Sequence, residues 1–450
     1  MHQYMNSPVP TRSGNDVAPA APPRAFAMFR SLRGFNYRVW AIGGLVSNIG
    51  TWMQRTAQDW IVLTQLTHNN GAAVGKVMAL QFAPQVLLLP WTGHAADHLD
   101  KRKLLFATQA AMGALALGLG LLTVTGLVQL WHVYAFALLL GCAAAFDAPA
   151  RHAFVSELVR EEDLSNAVGL NSSSFNAARM LGPAAAGLLI AAFGSGWVFL
   201  LNGASFAAVL LSLGLLRSEE LQRHPGPVKA RGRLADGFRY VWGRPDLKTI
   251  LCMVFFVGTF GLNFPIFLST MAVSVFHKGA GQYGLLTSIM AVGTLSGALL
   301  ASARARPTMG HLFTGALFFG LGLIAAAMMP SYGWFAVPLV LVGLSAQTLT
   351  NAANGLLQLS TEPAMRGRVV ALFLAIALGG TPLGAPLVGW VADRFGPRWA
   401  LCVGAAGGFA AAAIAVYYLV RFRGLRLRFD TGRVRFQLDE RDAPLLIKGA

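Results

Sequence analysis

The chain is poor in cysteine, and this limits the kinds of site it can build. Its 450 residues include three cysteines: Cys142, Cys252 and Cys402. Each lies inside an apolar stretch, and their spacing fits neither a disulfide framework nor a metal site. We therefore treat them as small packing residues and predict no metal site. A possible phosphate-binding loop at Gly71–Lys76 is one residue too short, and Val77 stands where a hydroxyl is needed. We predict no cofactor and no enzymatic activity.

Charge is also scarce, at 12% of residues, which is about half of what a soluble domain carries. Hydrophobic residues make up 55% of the chain, and the mean hydropathy is +0.54. Between residues 38 and 421, about twelve apolar stretches alternate with short polar connections, and each stretch is long enough to cross a bilayer. The predicted spans, numbered 1 to 12, are 38–65, 73–95, 104–126, 130–150, 166–192, 196–216, 248–275, 282–303, 309–329, 333–357, 369–392 and 397–421.

Acidic residues are fewer than basic ones, 19 against 36, and the basic excess is unevenly placed. One alternate set of connections between spans holds 17 Lys and Arg residues, whereas the other set holds three: Lys278, Arg394 and Arg398. This asymmetry predicts that the basic connections and both termini are cytoplasmic, with the protein in a cell (plasma or inner) membrane. It also accounts for the net charge of +17 without a nucleic-acid partner.

The longest internal connection, 217–247, divides the chain into six spans on either side. We predict a disordered cytoplasmic tail at 1–37, an N-terminal half at 38–216, a cytoplasmic linker at 217–247, a C-terminal half at 248–421 and a basic cytoplasmic tail at 422–450. Alternating residues on either side of Asp430-Thr-Gly432 predict a small β-hairpin in the last tail. Its basic face would lie against membrane lipid.

The two halves resemble each other in sequence. Six residues in spans 5 and 11 and the turns after them recur at a constant offset of 202: Leu181, Gly182, Gly187, Phe193, Gly194 and Trp197 match Leu383, Gly384, Gly389, Phe395, Gly396 and Trp399. The predicted fold is therefore an all-α integral membrane protein with twelve transmembrane helices in two six-helix halves. Secondary transporters use this plan and bind substrate between the halves. The same alignment places the segment Gly389–Arg398 on the outer surface, where we predict a turn with a local Asp–Arg pair. A gating role for this segment is the less favoured alternative.

The connection after span 2 carries a motif. It runs from Gly93 to Leu105, and the matching residues are Gly93, Asp97, Lys101, Arg102 and Leu105. It resembles the loop motif of the major facilitator superfamily, although Ala95, His98 and Asp100 depart from it. The resemblance implies that Asp97 helps to hold the two halves in one conformation, because a carboxylate there can accept hydrogen bonds from a neighbouring helix N-terminus. An ordinary charged cytoplasmic turn is the alternative.

Span 5 carries a second motif of small residues. Gly169, Ala178, Gly182-Pro183 and Ala186-Gly187 keep every spacing of the antiporter motif of that superfamily, with alanine at two glycine positions. Small residues allow close helix contact, and proline bends the helix. Pro183, Gly182 and Gly187 are therefore gating candidates, and a simple helix-packing interface is the alternative.

Longer stretches resemble one subgroup of the superfamily. They are Gly50–Trp60, Phe146–Arg151 and Asn166–Gly187, and they are similar to the enterobactin exporter and related drug:proton antiporters. The resemblance implies proton-coupled efflux of a small, often amphipathic molecule.

Span 1 has a polar side that is unusual in a membrane helix. Asn48, Thr51, Arg55 and Asp59 recur at helical spacing, with Gln54 beside them, and we predict that they line a central cavity. One hypothesis makes Asp59 the proton-coupling carboxylate, with Arg55 as its modulator. The other makes Arg55 and Asp59 a static ion pair.

Further polar residues inside spans complete the candidates. For Arg179 in span 5, with Asn176 on its face, we predict either a role in binding an anionic substrate or in coupling, or a bond to another helix. Asp147, near the end of span 4, and Arg151, four residues later, either join an inner gate with Asp97 or form a local surface pair. Span 10 contributes amides at helical spacing, and of these we assign Asn351 and Asn354 to the substrate cavity.

The sequence thus predicts a secondary active efflux transporter that exports a small amphipathic compound, in exchange for protons, by alternating access. The alternatives are export of a native siderophore or metabolite, movement of a lysolipid, or a non-transporting membrane receptor. The expected partners are a small-molecule substrate, protons and membrane lipid. Substrate identity, stoichiometry and oligomeric state stay open.

Overall fold

The computed structural model describes residues 29–222, 234–304, 306–423, 426–430 and 433–437, and a helical segment stands at each of the twelve predicted span positions. Spans 1 to 6 are Phe35–Ile61 with a π-helical turn at Val62–Leu66, the pair Gly71–Leu87 and Leu89–His98, then Lys101–Val124, Leu130–Leu158, Glu161–Phe193 and Ser195–Leu215. Spans 7 to 12 are Pro245–Val275, Ala280–Ser302, Met309–Met328, Tyr332–Ser360, Pro363–Phe395 and Pro397–Arg423.

Ten helices of the described chain are long and apolar enough to cross a membrane. The two helices of span 2, which meet at an angle of 58°, count as an eleventh span when they are taken together. Span 1 is the remaining segment. Its 27 α-helical residues are enough to cross a bilayer, but the polar side that carries Arg55 and Asp59 makes it less apolar than the others. A helix of this kind is stable in a membrane when its polar side faces protein or a cavity. The protein is a multi-pass membrane protein.

We call the two ends of the bundle the basic end and the neutral end, after the charge of their connections. At the basic end the helices are longer than predicted: span 4 ends at Leu158 instead of 150, span 5 begins at Glu161 instead of 166, and span 11 begins at Pro363 instead of 369. The predicted bounds were wrong there because the apolar run stops at the membrane surface, whereas helical backbone hydrogen bonding continues beyond it.

The structure repeats where the sequence repeats. Spans 5 and 11 both contain 33 residues, and both of their ends are related by the same offset of 202. Each ends at a glycine with positive φ, 86° at Gly194 and 101° at Gly396, a conformation that favours glycine. Across the middle of the bundle, span 5 packs on span 8 and span 11 packs on span 2, so the two halves meet through equivalent helix pairs.

Smaller elements lie outside the spans. Two 3₁₀ turns occupy Arg30–Arg33 and Ser218–Glu220, and a helix, Leu234–Trp242, lies in the linker before span 7. The predicted hairpin is present as antiparallel strands β1, Arg426–Asp430, and β2, Arg433–Gln437, with Asp430 opposite Arg433. Residues 1–28 of the predicted tail at 1–37, the linker residues 223–233 and the end of the basic tail at 438–450 lie outside the described residues. The domain boundaries stay predictions.

Span 7 is broken near its middle. A π-helical turn at Val257–Gly261 leads into Leu262 and Asn263, and a new helix starts at Phe264 with Pro265 in its first turn. Proline cannot donate a backbone hydrogen bond, so it suits a helix start and not a helix interior. The Asn263 Nδ2 donates to the Thr259 carbonyl at 2.8 Å, which gives one backbone carbonyl at the break a hydrogen-bond donor. The break turns Leu262, Phe264 and Pro265 towards the centre of the protein.

Candidate functional site

A central cavity of about 320 Å³ lies between the two halves. Both halves contribute to its wall, through spans 1, 2 and 5 on one side and spans 7, 8, 10 and 11 on the other. Most of the lining is apolar or aromatic, and a few hydroxyl, amide and charged groups are placed among it. This composition is typical of small-molecule binding sites. Trp52, Arg55 and Asp59 of span 1 line the cavity, so part of the predicted polar side of that helix does face the centre.

Asp59 is buried, with 7% of its surface exposed, and it connects the two halves. The Tyr283 hydroxyl of span 8 donates a hydrogen bond to Asp59 Oδ2 at 3.3 Å. Tyr283 is itself held in place by a stacked contact with Trp60, with ring centroids 6.1 Å apart. A charged carboxylate in a membrane interior needs such a partner, because desolvation of an unpaired charge is costly.

Arg55 does not form the predicted close ion pair with Asp59. Within the described chain, no ion pair of 4.0 Å or less joins the two residues, and the buried Arg55 Nε has no hydrogen-bond partner. Its guanidinium lies instead over the Trp52 ring at 5.0 Å and the Phe82 ring at 5.7 Å. The reason is geometric: an aromatic slot formed with span 2 accepts the flat guanidinium through cation–π contacts. A static Arg55–Asp59 pair is therefore not present in this conformation.

Arg179 also lies near the indole of Trp52. Its guanidinium carbon is 6.0 Å from the centre of the Trp52 ring, and the residue lines the central cavity. The structure gives Arg179 no hydrogen bond or ion pair with another described residue, so helix-to-helix bonding through its guanidinium is not observed here. Both cavity arginines thus meet at Trp52.

Several predicted cavity residues lie elsewhere. Gln54 is 4% exposed and accepts a hydrogen bond from the Asn202 amide of span 6, so it belongs to the packing between two helices of one half. Asn48 and Thr51 are partly exposed on span 1, outside the lining of the central cavity. Asn176 donates to the Ser172 carbonyl of its own helix at 2.9 Å. Helical spacing alone could not distinguish the polar residues of span 1 that line the cavity from those that do not. Part of the polar side faces the cavity, and another part faces span 6.

The two asparagines of span 10 line a different cavity. Asn351 and Asn354 lie on a cavity of about 530 Å³ between spans 8, 9 and 10, towards the basic end. Each is bonded to a neighbouring amide: Gln347 Nε2 donates to Asn351 at 2.9 Å, and Gln358 Nε2 donates to Asn354 at 2.9 Å. Gln347 is the amide of this series that lines the central cavity.

The acid of span 4 is more enclosed than a surface pair. Asp147 Oδ2 accepts from Arg151 Nε at 3.0 Å and from its terminal nitrogen at 2.9 Å. Asp147 Oδ1 accepts from Thr108 at 2.9 Å and from Gln109 at 2.6 Å, so the carboxylate joins spans 3 and 4. Arg151 also lies over the Trp40 ring at 5.7 Å. The local pair with Arg151 is therefore present, but it is not a surface pair, since Asp147 is 6% exposed.

The predicted gate at the basic end makes its described contacts within the N-terminal half. Lys101 pairs with Glu157 of span 4 at 2.5 Å, and Arg102 donates to Ser218 at 2.7 Å. Asp100, which departs from the family motif, caps span 3 by accepting from the Lys103 N–H at 2.9 Å. The side chain of Asp97 lies outside the described residues, so its gating role stays a prediction.

The small residues of span 5 stand at two close helix contacts. A Cβ on Gly182 would lie 2.6 Å from Trp52 Cβ of span 1, and a Cβ on Gly187 would lie 2.7 Å from the Ala280 carbonyl of span 8. Pro183 lies inside span 5 between these contacts, where its carbonyl faces Gly284 of span 8. Span 5 therefore packs tightly across the two halves, and whether this contact acts as a gate stays a prediction.

Asp393, for which the sequence favoured a local pair over a gating role, connects the two halves at the neutral end. Asp393 Oδ1 accepts from the Gly71 N–H at 2.5 Å, and Oδ2 accepts from the Ala72 N–H at 2.9 Å. These donors begin span 2, whereas Asp393 ends span 11. The predicted local Asp–Arg pair is wrong: in the described chain Asp393 has no ion pair, and Arg398 donates to the Ala327 carbonyl at 2.6 Å. The acid turns to span 2 because free N–H groups at a helix N-terminus attract a carboxylate.

Trp52, Phe82 and Tyr283 were also not predicted as site residues. Each lies in an apolar span, where an aromatic side chain cannot be distinguished from ordinary core by spacing alone. Tyr283 offered a weak signal, since a buried phenol needs a hydrogen-bond partner. In the described part of the chain, no group of three or more metal-ligating side chains is found.

Comparison with known proteins agrees with this architecture. The sequence model of a family described as "Transmembrane secretion effector" matches residues 25–448. The staphyloferrin A transporter of Staphylococcus aureus (strain NCTC 8325 / PS 47) is 26% identical over 359 residues, 77% of this chain and 87% of that protein. The multidrug efflux pump Tap of Mycolicibacterium fortuitum is 26% identical over 365 residues, 78% of this chain and 88% of that protein. The enterobactin exporter EntS of Shigella flexneri is 27% identical over 371 residues, 81% of this chain and 87% of that protein.

A solved structure shows the same fold. The bacterial homolog to the human lysosomal transporter Spinster, in an inward-facing and occupied conformation, superposes with a TM-score of 0.68 at 15% identity, covering 88% of this chain and 97% of that chain. The predicted fold class is confirmed. With the family model spanning nearly the whole sequence, the chain belongs to the transmembrane secretion effector family of the major facilitator superfamily, a family of membrane transporters and not of enzymes.

Proposed function

We propose that the protein is a secondary active efflux transporter, which exports a small amphipathic compound in exchange for protons. The observation that carries the proposal is the buried carboxylate of Asp59, on the wall of a cavity shared by both halves and bonded to Tyr283 of the opposite half. Efflux is supported by the names of the relatives, among them a multidrug efflux pump, an enterobactin exporter and a staphyloferrin A transporter. At identities of 26–27%, these relatives support a role in transport but do not identify the substrate.

Asp59 is placed to couple proton binding to the movement of the halves. When ionised, it accepts the Tyr283 hydroxyl and so favours the conformation in which spans 1 and 8 are close. Protonation removes the charge and weakens this charge-assisted hydrogen bond. The two protonation states therefore bind the opposite half with different strength, which is the requirement for a proton to shift a conformational equilibrium.

The closed state of the neutral end rests on a second contact between the halves. We call the hydrogen bonds from the Gly71 and Ala72 N–H groups to Asp393 the neutral-end latch. Alternating access requires this contact to break when the neutral end opens. Asp97, at the opposite end of span 2, occupies the corresponding position for the basic end, so each acid would favour closure of its own end.

The direction of export depends on the orientation of the chain in the membrane. The ratio of 17 to three basic residues between the two sets of connections supports a cytoplasmic basic end and cytoplasmic termini. Single cysteines at His68 and at Ser302 test this, after Cys142, Cys252 and Cys402 have been replaced by serine. A membrane-impermeant maleimide added to intact cells should label the first and not the second. The opposite result would reverse the orientation and the proposed direction.

The proposal is tested by comparing the wild type with Asp59→Asn, using Glu220→Gln as a control that neutralises an exposed acid. Media from expressing cells are compared by mass spectrometry to find exported compounds. Vesicles then measure pH-driven accumulation of each compound, and counterflow without a gradient. We expect Asp59→Asn to lose pH-driven accumulation and to retain counterflow, because counterflow needs no net proton movement. Undiminished pH-driven flux in Asp59→Asn would remove Asp59 from the coupling step.

Siderophore export is a second candidate within the same mechanism, and it is favoured by the names of two relatives. A non-transporting receptor is separated from both by the vesicle assay, because a receptor would bind compound without any flux.

A further inference from the structure

The central cavity contains an excess of positive charge that the protein does not neutralise. Among its lining residues, Arg55, Arg179 and Asp59 carry charge, which leaves two guanidinium groups for one carboxylate. Asp59 is directed to Tyr283, and no ion pair within 4.0 Å links it to either arginine in the described chain. The other polar groups of the lining are neutral hydroxyls and amides such as Gln81 and Gln347.

Two unpaired guanidinium groups in a membrane interior are unusual. A charged side chain at this depth normally finds an acid, a carbonyl or a ligand, because it loses most of its hydration. Arg55 and Arg179 have cation–π contacts with Trp52 as their shared partner, at 5.0 and 6.0 Å. Among the described residues neither guanidinium donates a hydrogen bond, and the buried Arg55 Nε has no acceptor. Guanidinium N–H groups bind carboxylates in a two-point geometry, so both arginines still lack the partner that they bind best.

The remaining wall is suited to a flat apolar group. The rings of Phe82 and Phe264 line the cavity together with Trp52, and the sulfur-containing side chains of Met78 and Met290 adjoin them. Aromatic faces bind other aromatic rings in stacked or edge contacts, and methionine adapts to irregular apolar shapes. The volume of about 320 Å³ is at the low end of the range for ligand sites.

We propose that the cavity binds a monoanionic aromatic amphiphile, whose carboxylate contacts Arg55 and Arg179 while its ring packs among Trp52, Phe82 and Phe264. One negative charge neutralises the cavity when Asp59 is ionised, so the loaded site carries no net charge through the membrane. The inference rests on the proposed function for the identification of this cavity as the transport site, but the binding preference itself can be measured without transport.

The experiment measures equilibrium binding to purified protein in nanodiscs of zwitterionic lipid, without any gradient. Three probes share one ring system: 2-naphthoate is an anion, 2-naphthamide is neutral and 2-naphthylmethylammonium is a cation. Isothermal titration calorimetry at pH 7.5 measures the binding of each probe, both by direct titration and by displacement. We expect 2-naphthoate to bind at least about 10-fold more tightly than the amide, since each charge-assisted contact contributes on this scale. Equal binding of acid and amide, or tighter binding of the cation, would overturn the proposal.

Variants locate the anion within the cavity. Arg179→Gln and Arg55→Gln should each reduce the preference for acid over amide by about 10-fold, whereas the amide should keep its affinity. Arg179→Lys keeps the charge but not the forked geometry, so it should retain part of the preference. Arg160→Gln is the control, because it removes the same charge from a side chain that is 79% exposed. A preference that survives in both cavity variants would refute the assignment of the carboxylate to these arginines.

Dodecanoate separates the aromatic part of the proposal from charge alone. It carries the same carboxylate on a flexible aliphatic chain, as a lipid-derived anion would. We expect it to displace 2-naphthoate weakly. If it binds as tightly as 2-naphthoate, the aromatic requirement is wrong and the site recognises lipid-like anions. If binding shows the expected preference but vesicles show no flux, the anion site stands and the proposed transport function fails.

Discussion

Replacing Asp393 by alanine should open the neutral end of the protein. The carboxylate accepts two backbone N–H groups at the start of span 2, at 2.5 and 2.9 Å, and it belongs to the opposite half. Alanine removes both acceptors and the charge. The conformation with a closed neutral end loses these contacts, whereas a conformation with an open neutral end never had them, so the equilibrium shifts towards opening.

The size of the shift follows from the geometry. A hydrogen bond to a charged acceptor contributes about 1.5–3 kcal/mol to stability, and a helix N-terminus favours a nearby carboxylate by a further fraction of this. Asp393 is exposed on its outer side, so solvent screens it and the two bonds are not additive. We take about 2 kcal/mol for the whole latch, which corresponds to about a 30-fold change in the ratio of open to closed protein.

Spin labels on cysteines at His68 and Ser331 report this ratio. Both residues are exposed in connections at the neutral end, one in each half, and the three native cysteines are replaced by serine. Pulsed electron–electron resonance in nanodiscs then gives the populations of short and long distances. The long-distance population should rise in Asp393→Ala and rise less in Asp393→Asn, which keeps one oxygen acceptor without the charge.

The neighbouring Arg394 supplies the control. It is exposed and no ion pair or hydrogen bond is found for it among the described residues, so Arg394→Ala should leave the distances unchanged. If Asp393→Ala inserts normally and keeps the wild-type distribution within a factor of two, the latch does not hold the neutral end closed. An equal shift in Arg394→Ala would point to surface charge in general and not to the two hydrogen bonds.

Three further predictions concern the N-terminal half. Gly182→Val should lower the thermal stability by about 1–3 kcal/mol, because its Cβ meets span 1 at 2.6 Å, while Gly169→Val in the same helix, with open space around it, should have a much smaller effect in a fluorescence melt. Asp147→Asn should destabilise the protein by about 3 kcal/mol by leaving a buried guanidinium uncompensated, and equal melting curves for variant and wild type would contradict this. Asp97→Asn should reduce turnover in vesicles more than it reduces the inserted amount, and normal turnover at normal insertion would exclude a gating role.

Hydropathy was sufficient to predict the helical architecture, because it depends on residues close together in the chain. A stretch of apolar residues becomes a membrane helix whatever lies elsewhere, since its backbone hydrogen bonds are internal. The offset of 202 predicted the duplication, and spans 5 and 11 then appeared with the same length and the same terminal glycine. Span 1 was predicted as one of the apolar stretches, although it is less apolar than its neighbours.

The site was predicted in part. The burial of Asp59 in the central cavity and the presence of Arg55 and Arg179 there agree with the polar pattern of the sequence. Gln54 has the same spacing, yet it binds Asn202 of span 6. The difference cannot be predicted from periodicity, because a helix surrounded by other helices has polar neighbours on more than one side.

The decisive contacts of the mechanism were determined only by the tertiary structure. Asp393 lies at the end of span 11, and the sequence suggested a local pair for it, but its partners are 322 and 321 residues away. Asp59 likewise meets Tyr283 from a distance of 224 residues. Sequence determines which segments enter the membrane, because the bilayer acts on each segment separately. The partner of a buried charge is determined by how the two halves close on each other, because that free energy depends on atoms that only folding brings together.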